Sequence, residues 1–297
     1  MLTLREIAHA LGGEVVGRQV LAPGPGHSPS DRSVAVRPSP TSPGGVLVWS
    51  HGRSSWQEAK DHVLSRLGVK RPRLVHKAEQ PVRPLPTRDD RLRGARAVEL
   101  FHQARDPRCG PVERYLASRG LALPNDPARV LRYHPACPFA GAKTPTMVAL
   151  VVDVLTGEPR AIHRTAVTQA GGKAEMAGRS RLSLGPVSGG AVRLTADEDL
   201  HACLGIAEGI ETALSLRLLP EFGASPVWSV LSANGIASFP VIAGVESLWI
   251  AVDHDEAGER AARACASRWR AAGREVFLVK PKAAGADLND VVRALGD

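Results

Sequence analysis

The C-terminal third of the chain alternates short apolar strands with helices, and that rhythm constrains the fold more than any other feature. It predicts strands at 203–207, 227–231, 247–252 and 275–279. The intervening helices are expected at 209–219, near Gly235, at 256–272 (stopped by Gly273) and at 286–295. Strands of about five residues, apolar on both faces and separated by helices, form a parallel sheet covered on both sides. An α/β fold with a Rossmann-like sheet is therefore expected for 196–297.

In an open parallel sheet, ligands bind beyond the carboxyl ends of the strands. Acidic residues stand there in this sequence. Glu208 follows the first strand, and Asp253 follows the third, with Asp255 two positions on. Asp287 and Asp290 follow the last strand and a Gly turn. Ionised carboxylates crowded at one sheet edge raise each other's pKa values, and bound metal relieves the repulsion. Oxygen-only ligands without a nearby Cys point to Mg2+ or Mn2+, the ions of phosphoryl and nucleotidyl transfer. Each acid also has a structural role open to it. Asp253 or Asp255 can cap the helix at 256–272, and Glu211 and Glu256 sit in first helical turns, where acids are favoured anyway.

The formal charge of +8 conceals an asymmetry. Residues 1–195 hold 29 Lys+Arg and 15 Asp+Glu, a net +14, and residues 196–297 hold 9 and 15, a net −6. A basic front suits a polyanion held through its phosphates, and an acidic back suits divalent cations. The bias to Arg, 31 of the 38 basic residues, suits bidentate phosphate contacts and equally fits a GC-rich genome. Four scattered cysteines form no C-x-x-C, which argues against a zinc knuckle and a redox pair. No apolar run approaches the roughly 20 residues of a membrane span, and the amphipathic start lacks a signal-peptide core. A soluble, cytoplasmic protein is expected.

The 297 residues exceed one typical domain. Residues 1–68 read as a small α+β module. It has a helix through Leu4, Ile7 and Leu11, strands near Val15, Val34 and Val46, and a helix at 56–67 capped by Ser54 or Ser55. Residues 69–88, rich in Pro and basic residues, read as a linker. Residues 89–195 form a second α+β unit with helices at 92–103 and 111–119. Its strands at 147–154 and 160–168 are joined by a turn through Gly157, and a short strand follows at 191–194.

The segments AEGIETALSL (207–216), SANG (232–235), VDHDEAGERAA (252–262) and GADLNDVV (285–292) together resemble a Toprim domain. That fold is shared by bacterial-type primases, topoisomerases and some nucleases. Glu208, Asp253 and Asp255 match its Glu and Asp-x-Asp signature, in the form closest to bacterial-type, phage and plasmid primases. Asp287 matches the first member of a further acidic pair. Asn289 stands at the spacing of the second, with Asp290 one position later. YLASRGLAL (115–123), LRYHPACPF (131–139), VALVVDVLTGEPRAIHRTAV (148–167) and LGPVSGGAVRL (184–194) resemble the subdomain that precedes Toprim in such primases. The resemblance places Arg164 among the residues that hold nucleotide or DNA phosphate, with Lys173 and Arg181 as further partners. Residues 23–36 and 47–63 have the outline of the primase zinc ribbon, but only His27 stands at a ligand position. Pro23, Ser50 and Arg53 lie where Cys is expected, so no zinc is expected.

The resemblance implies a DNA primase that joins ribonucleotides on a single-stranded DNA template, for a chromosome, phage or plasmid. Two divalent metals on Glu208, Asp253, Asp255 and Asp287 would serve catalysis. No Walker motif is present, so any replicative helicase would be a separate protein. A Toprim nuclease and a non-catalytic DNA-binding protein of a mobile element remain open. A topoisomerase would need a nucleophilic Tyr, and Tyr115 and Tyr133 are the two tyrosines. Tyr115 reads as a helix-packing residue. With 4% aromatics, the template is expected to be held by its backbone more than by base stacking.

Overall fold

The computed structural model describes residues 2–39, 43–51, 54, 56–70, 86–195, 203–219, 222, 225–283 and 285–296. Most of the expected linker, together with Arg53 and Ser55, lies outside the described residues.

The first module opens with α1 (Leu4–Leu11), held by a Thr3–Glu6 capping box and ended by Gly12 at φ 64°. Strands β1 (Glu14–Val16), β2 (Gln19–Ala22), β3 (Val34–Pro38) and β4 (Val46–Ser50) form an antiparallel meander, followed by α2 (Trp56–Arg66). Ile7, Val20, Val36, Val48 and Val63 are its buried centre. In the loop before β3 the carboxylate of Asp31 is a hub. Its Oδ2 accepts from Gly24 N (2.9 Å), Ser33 N (3.2 Å), Ser33 Oγ (2.5 Å) and His27 Nδ1 (3.0 Å). These donors hold its pKa well below the usual carboxylate value, the Gly24 N–H most and the Ser33 hydroxyl next. The carboxylate therefore ties the end of β2 to the start of β3. Asp31→Ala is expected to lower stability by about 1–2 kcal/mol, an exposed cluster being worth less than buried charged hydrogen bonds. The native pKa lies below the unfolded value, so this contribution holds above pH about 4 and fades in acid. Thermal melts of both forms at pH 7 and pH 3, with and without a chelator, would check it. A chelator-sensitive melt would show that metal holds the loop.

The second unit begins with α3 (Arg88–Gln103), four residues before the position expected from apolar periodicity. A capping box of Thr87 and Asp90 starts the helix in a polar stretch. After α4 (Pro111–Ala117) comes β5 (Leu131–Phe139), a strand that sequence patterning does not predict. Pro135 and Pro138 lie within it. Both are tolerated because the ladder of β5 runs along one side, with β6 (Ala142–Asp153), across a bulge between His134 and Cys137, while its other side makes a single bridge from Tyr133 to Arg105. Strands β7 (Pro159–Ala166), β8 (Arg181–Leu184) and β9 (Gly190–Arg193) complete the unit.

The last part follows the predicted alternation: β10 (Cys203–Ala207), α5 (Ile210–Leu216), β11 (Val227–Ser229), α6 (Ala233–Ala237), β12 (Ser247–Ala251), α7 (Glu256–Ala271), β13 (Glu275–Val279) and α8 (Leu288–Gly296). The order β13-β12-β10-β11 is parallel throughout. Its strands are buried on both faces. Trp249, Phe277 and Ala207 face one core, and Leu204, Ile206, Ile250 and Trp228 face the other, with Trp269 of α7. The sheet does not end there. β11 pairs antiparallel with β9, and β9 with β6, so a single sheet of nine strands among the described residues runs across the expected boundary at 195–196.

The first module packs on the far edge of this sheet. Trp49 meets Phe277 edge-on at 5.6 Å, and Phe277 stacks on Trp249 at 4.6 Å. Lys60 donates to the Val46 carbonyl (2.6 Å) and to Glu275 Oε1, and both charged side chains are at most 2 % exposed. No helix of the described residues is long and apolar enough to cross a membrane.

Candidate active site

β10 lies beside β12, and the connection from β10 runs through α5 to β11 while that from β12 runs through α7 to β13, on opposite sides. That is the topological switch point where a crevice opens. Glu208 follows β10 and Asp253 lies two residues beyond β12, so both stand at the crevice. Two glycines permit the tight turns. A Cβ at Gly258 would lie 2.6 Å from the Asp253 carbonyl, and one at Gly235 would lie 2.2 Å from the Val230 carbonyl. Leu231, opposite Glu208, adopts φ 68° and donates its N–H to the Glu208 carbonyl at 3.0 Å, a strained backbone of the kind found at functional sites.

The carboxylates act on one another. Burial and the Asp255 charge raise the Glu208 pKa, opposed by Arg181. Asp253 is pushed up to about 6, first by burial and then by Glu208, Asp287 and Asp255, again opposed by Arg181. Asp253 Oδ1 is buried and accepts no hydrogen bond. Asp255 has a second role as N-cap of α7, its Oδ1 accepting from Gly258 N (2.7 Å). Asp287 likewise accepts from Asp290 N (2.9 Å), and Asp290 reaches back to Asp287 N (3.2 Å), a reciprocal cap on α8. The loop carrying Asp287 is tied to the Asp-x-Asp turn through His254, whose Nδ1 lies 2.8 Å from the Ala283 carbonyl.

Of the expected ligands, the structure brings Glu208, Asp255 and Asp287 within electrostatic range of Asp253. Asp290, also expected as a ligand, takes part in the reciprocal cap with Asp287 at the start of α8. Asn289, at the family spacing, is buried and donates to Arg119 O (2.9 Å) and Ser215 Oγ (3.1 Å), tying α8 to α5. Among the described residues no three His, Cys, Asp or Glu side chains converge into a metal cage. The donor set still fits Mg2+ or Mn2+. Mg2+ keeps several waters and takes one or two protein carboxylates plus substrate phosphates, and Asp253 Oδ1 has no hydrogen-bond donor among the described residues.

The basic residues divide. Arg181, on β8, lies beside the acids, and Lys173 is near it: burial and then repulsion by Arg181 lower its pKa. Arg164 does not belong to this group. Alternation along β7 turns it to the opposite face from His163 and Thr165. There it donates to the Pro138 carbonyl and to Ser183 O (3.2 Å) and lies 5.8 Å from the Phe139 ring centre. Arg164→Met is therefore expected to lower the melting temperature, with about 1–3 kcal/mol lost from orphaned carbonyls. Thermal melts of both forms would check it.

A cavity of about 190 Å3 is lined by His163, Thr165, Arg181, Glu208, Glu211 and Leu231, among others. His163, Thr165 and Glu211 were missed by sequence reasoning. Burial, then the Arg181 charge, lowers the His163 pKa to about 4, so it is neutral at pH 7. Tyr115, expected to pack a helix, is buried but also donates to Glu211 Oε1 at 2.5 Å. Glu211 was available as a signal: it is the one charged residue of Ile210–Leu216, a helix in which every residue is buried.

A domain of unknown function (DUF7146) matches residues 91–194, and the Toprim domain matches residues 203–297. No curated protein matches the chain. Among solved structures, the zinc-binding and RNA polymerase domains of the Aquifex aeolicus primase are similar over 100% of this chain and 83% of that one, at 16% identity and TM-score 0.41. The primase fragment of the bacteriophage T7 primase-helicase protein is similar over 61% and 70%, at 15% identity and TM-score 0.41. A DNA primase domain from Pseudomonas aeruginosa is similar over 68% and 74%, at 14% identity and TM-score 0.41. On the match to its sequence model, and with the strand order and carboxylates in place, residues 203–297 of this chain are a Toprim domain.

Proposed function

We propose that the protein is a primase-type nucleotidyltransferase that makes short RNA primers on single-stranded DNA. The observation that carries the reading is the half-buried Asp253, its oxygen unpartnered, at a sheet switch point beside Glu208, Asp255, Asp287 and the cationic Arg181. The four-part organisation of 1–68, 69–88, 89–195 and 196–297 is retained, with the last two acting as one core because they share a sheet.

Glu208, Asp253 and Asp255, with Asp287 behind them, would hold Mg2+ or Mn2+. When bound, such ions polarise the phosphoryl oxygens and favour the ionised form of the attacking hydroxyl. The chain's own part is placement and charge. Arg181 and Lys173 neutralise phosphate oxygens as charge moves to the leaving group. Neutral His163 adds no competing cation and can donate or accept one hydrogen bond at the cavity wall. The basic front offers its charge to the template backbone. Burial of Trp228, Trp249, Trp269 and Phe277 in the cores agrees with a template held by phosphate contacts more than by stacking. The proposal includes single-stranded DNA and nucleoside triphosphates as partners, a separate helicase, a cytoplasmic setting and no zinc.

Incubation with single-stranded DNA, labelled ribonucleotides and Mg2+ or Mn2+ tests the reading. New oligomers that disappear in Asp255→Ala support it. A shortened template without synthesis would replace it with a Toprim nuclease.

A further inference from the structure

Glu211 is 3 % exposed, on the first turn of α5, and its two oxygens serve two partners from the preceding unit. Oε1 accepts from the Tyr115 hydroxyl of α4 (2.5 Å) and Oε2 from Arg181 Nη2 of β8 (2.9 Å). A buried carboxylate adds little net stability over an apolar side chain of similar size, and the neighbours of Glu211 in α5 are mostly apolar and buried. Stability alone therefore gives weak reason for an acid here.

The arrangement at Arg181 supplies a better one. Its side chain is 40 % exposed although its partner is buried, and the contact to Glu211 is single-ended. The guanidinium carries five N–H donors in a fixed fork, so donors remain for the cavity shared with Glu208 and Thr165. Arg181 is also drawn electrostatically to Glu208 and Asp253. A long side chain without an anchor would settle on those acids and occupy the place of a cation. Resting on the proposed nucleotidyl-transfer reading, we propose that Glu211 is a positioning residue that anchors Arg181 so that its free donors meet a phosphate oxygen of nucleotide or nucleic acid.

The test reads binding, not synthesis, so it stands apart from any failure to make primers. One arm measures a labelled dT oligonucleotide in EDTA, and the other measures ATP with Ca2+. Glu211→Gln is expected to weaken the arm that Arg181 serves by about tenfold, as does Arg181→Gln. The double variant is expected to be no weaker than Arg181→Gln alone, because the residues act in series. If the oligonucleotide arm responds, the slope of log K against log salt falls by about 0.7, one phosphate contact on a single strand. A purely structural role would lower the melting temperature without changing that slope. The proposal is overturned if both arms are unchanged in Glu211→Gln, or if its penalty persists undiminished in the Arg181→Gln background. Should Glu211→Gln not fold, Glu211→Asp, which keeps the charge and shortens its reach, is judged by the same two criteria.

Discussion

If the proposed primer synthesis is this protein's activity, Asp253→Asn is expected to lower it by about a thousandfold or more while making the metal-free protein more stable. Loss of a metal-binding carboxylate removes several kcal/mol of transition-state charge stabilisation, and each 1.36 kcal/mol is tenfold in rate. The gain in stability comes from the same carboxylate. Asp253 is pushed up to about 6 by burial and by Glu208, Asp287 and Asp255. Its native pKa lies above the unfolded value, so the native state holds the proton more tightly. Stability falls as pH rises from about 4 through 6 and stays low above that. Screening around a half-buried group reduces the effect, and the neutral amide should recover about 1 kcal/mol at pH 8. Thermal melts of both forms at pH 5 and pH 8, with and without Mg2+, would decide. Wild type should gain from Mg2+ and the variant should not. A variant less stable at pH 8 would mean that Asp253 is a structural acid.

Lys60→Met is expected to cost about 3–5 kcal/mol at pH 8, the largest stability loss foreseen for one substitution. It leaves Glu275 buried without its cation. Burial pushes the Glu275 pKa up to about 7, with Lys60 opposing. Without Lys60 the value rises further, so at pH 5 the carboxyl is protonated and the cost shrinks. Stability of the variant therefore falls as pH rises through 7. The double variant Lys60→Met, Glu275→Leu should recover most of the loss, because apolar replacements of a buried pair are often neutral. Urea titrations at both pH values would test this. An equal cost at pH 5 and pH 8 would show that packing, not charge, is lost.

These predictions differ in how far the sequence supports them. The strands β10, β12 and β13 were legible because they are apolar on both faces and bounded by helix signals. The acids after them were legible because strand ends are where open sheets bind ligands. Strand β5 was not legible, since prolines oppose strand formation and only its edge position permits them. The face that Arg164 occupies is not legible, because a basic residue on a strand carries no mark of it. Its neighbour His163 faces the cavity, and alternation then turns Arg164 away. Asp290 was grouped with Asp287 by proximity, although a spacing of three at a helix start equally describes a reciprocal cap.

The sequence by itself determined the strand–helix alternation, the Toprim signature and the carboxylates at the strand ends, because periodicity and local spacing are properties of neighbours in the chain. Only the tertiary structure decided what depends on distant residues. It joined the two C-terminal units through the β9–β11 pairing and seated the first module on β13 through Lys60 and Trp49. It also turned Glu211 from a helix-start acid into the shared partner of Tyr115 and Arg181. Tyr115 and Glu211 are 96 residues apart, and Lys60 and Glu275 are 215. No local pattern specifies such pairs, because burial at those positions is settled by how the sheets and helices pack.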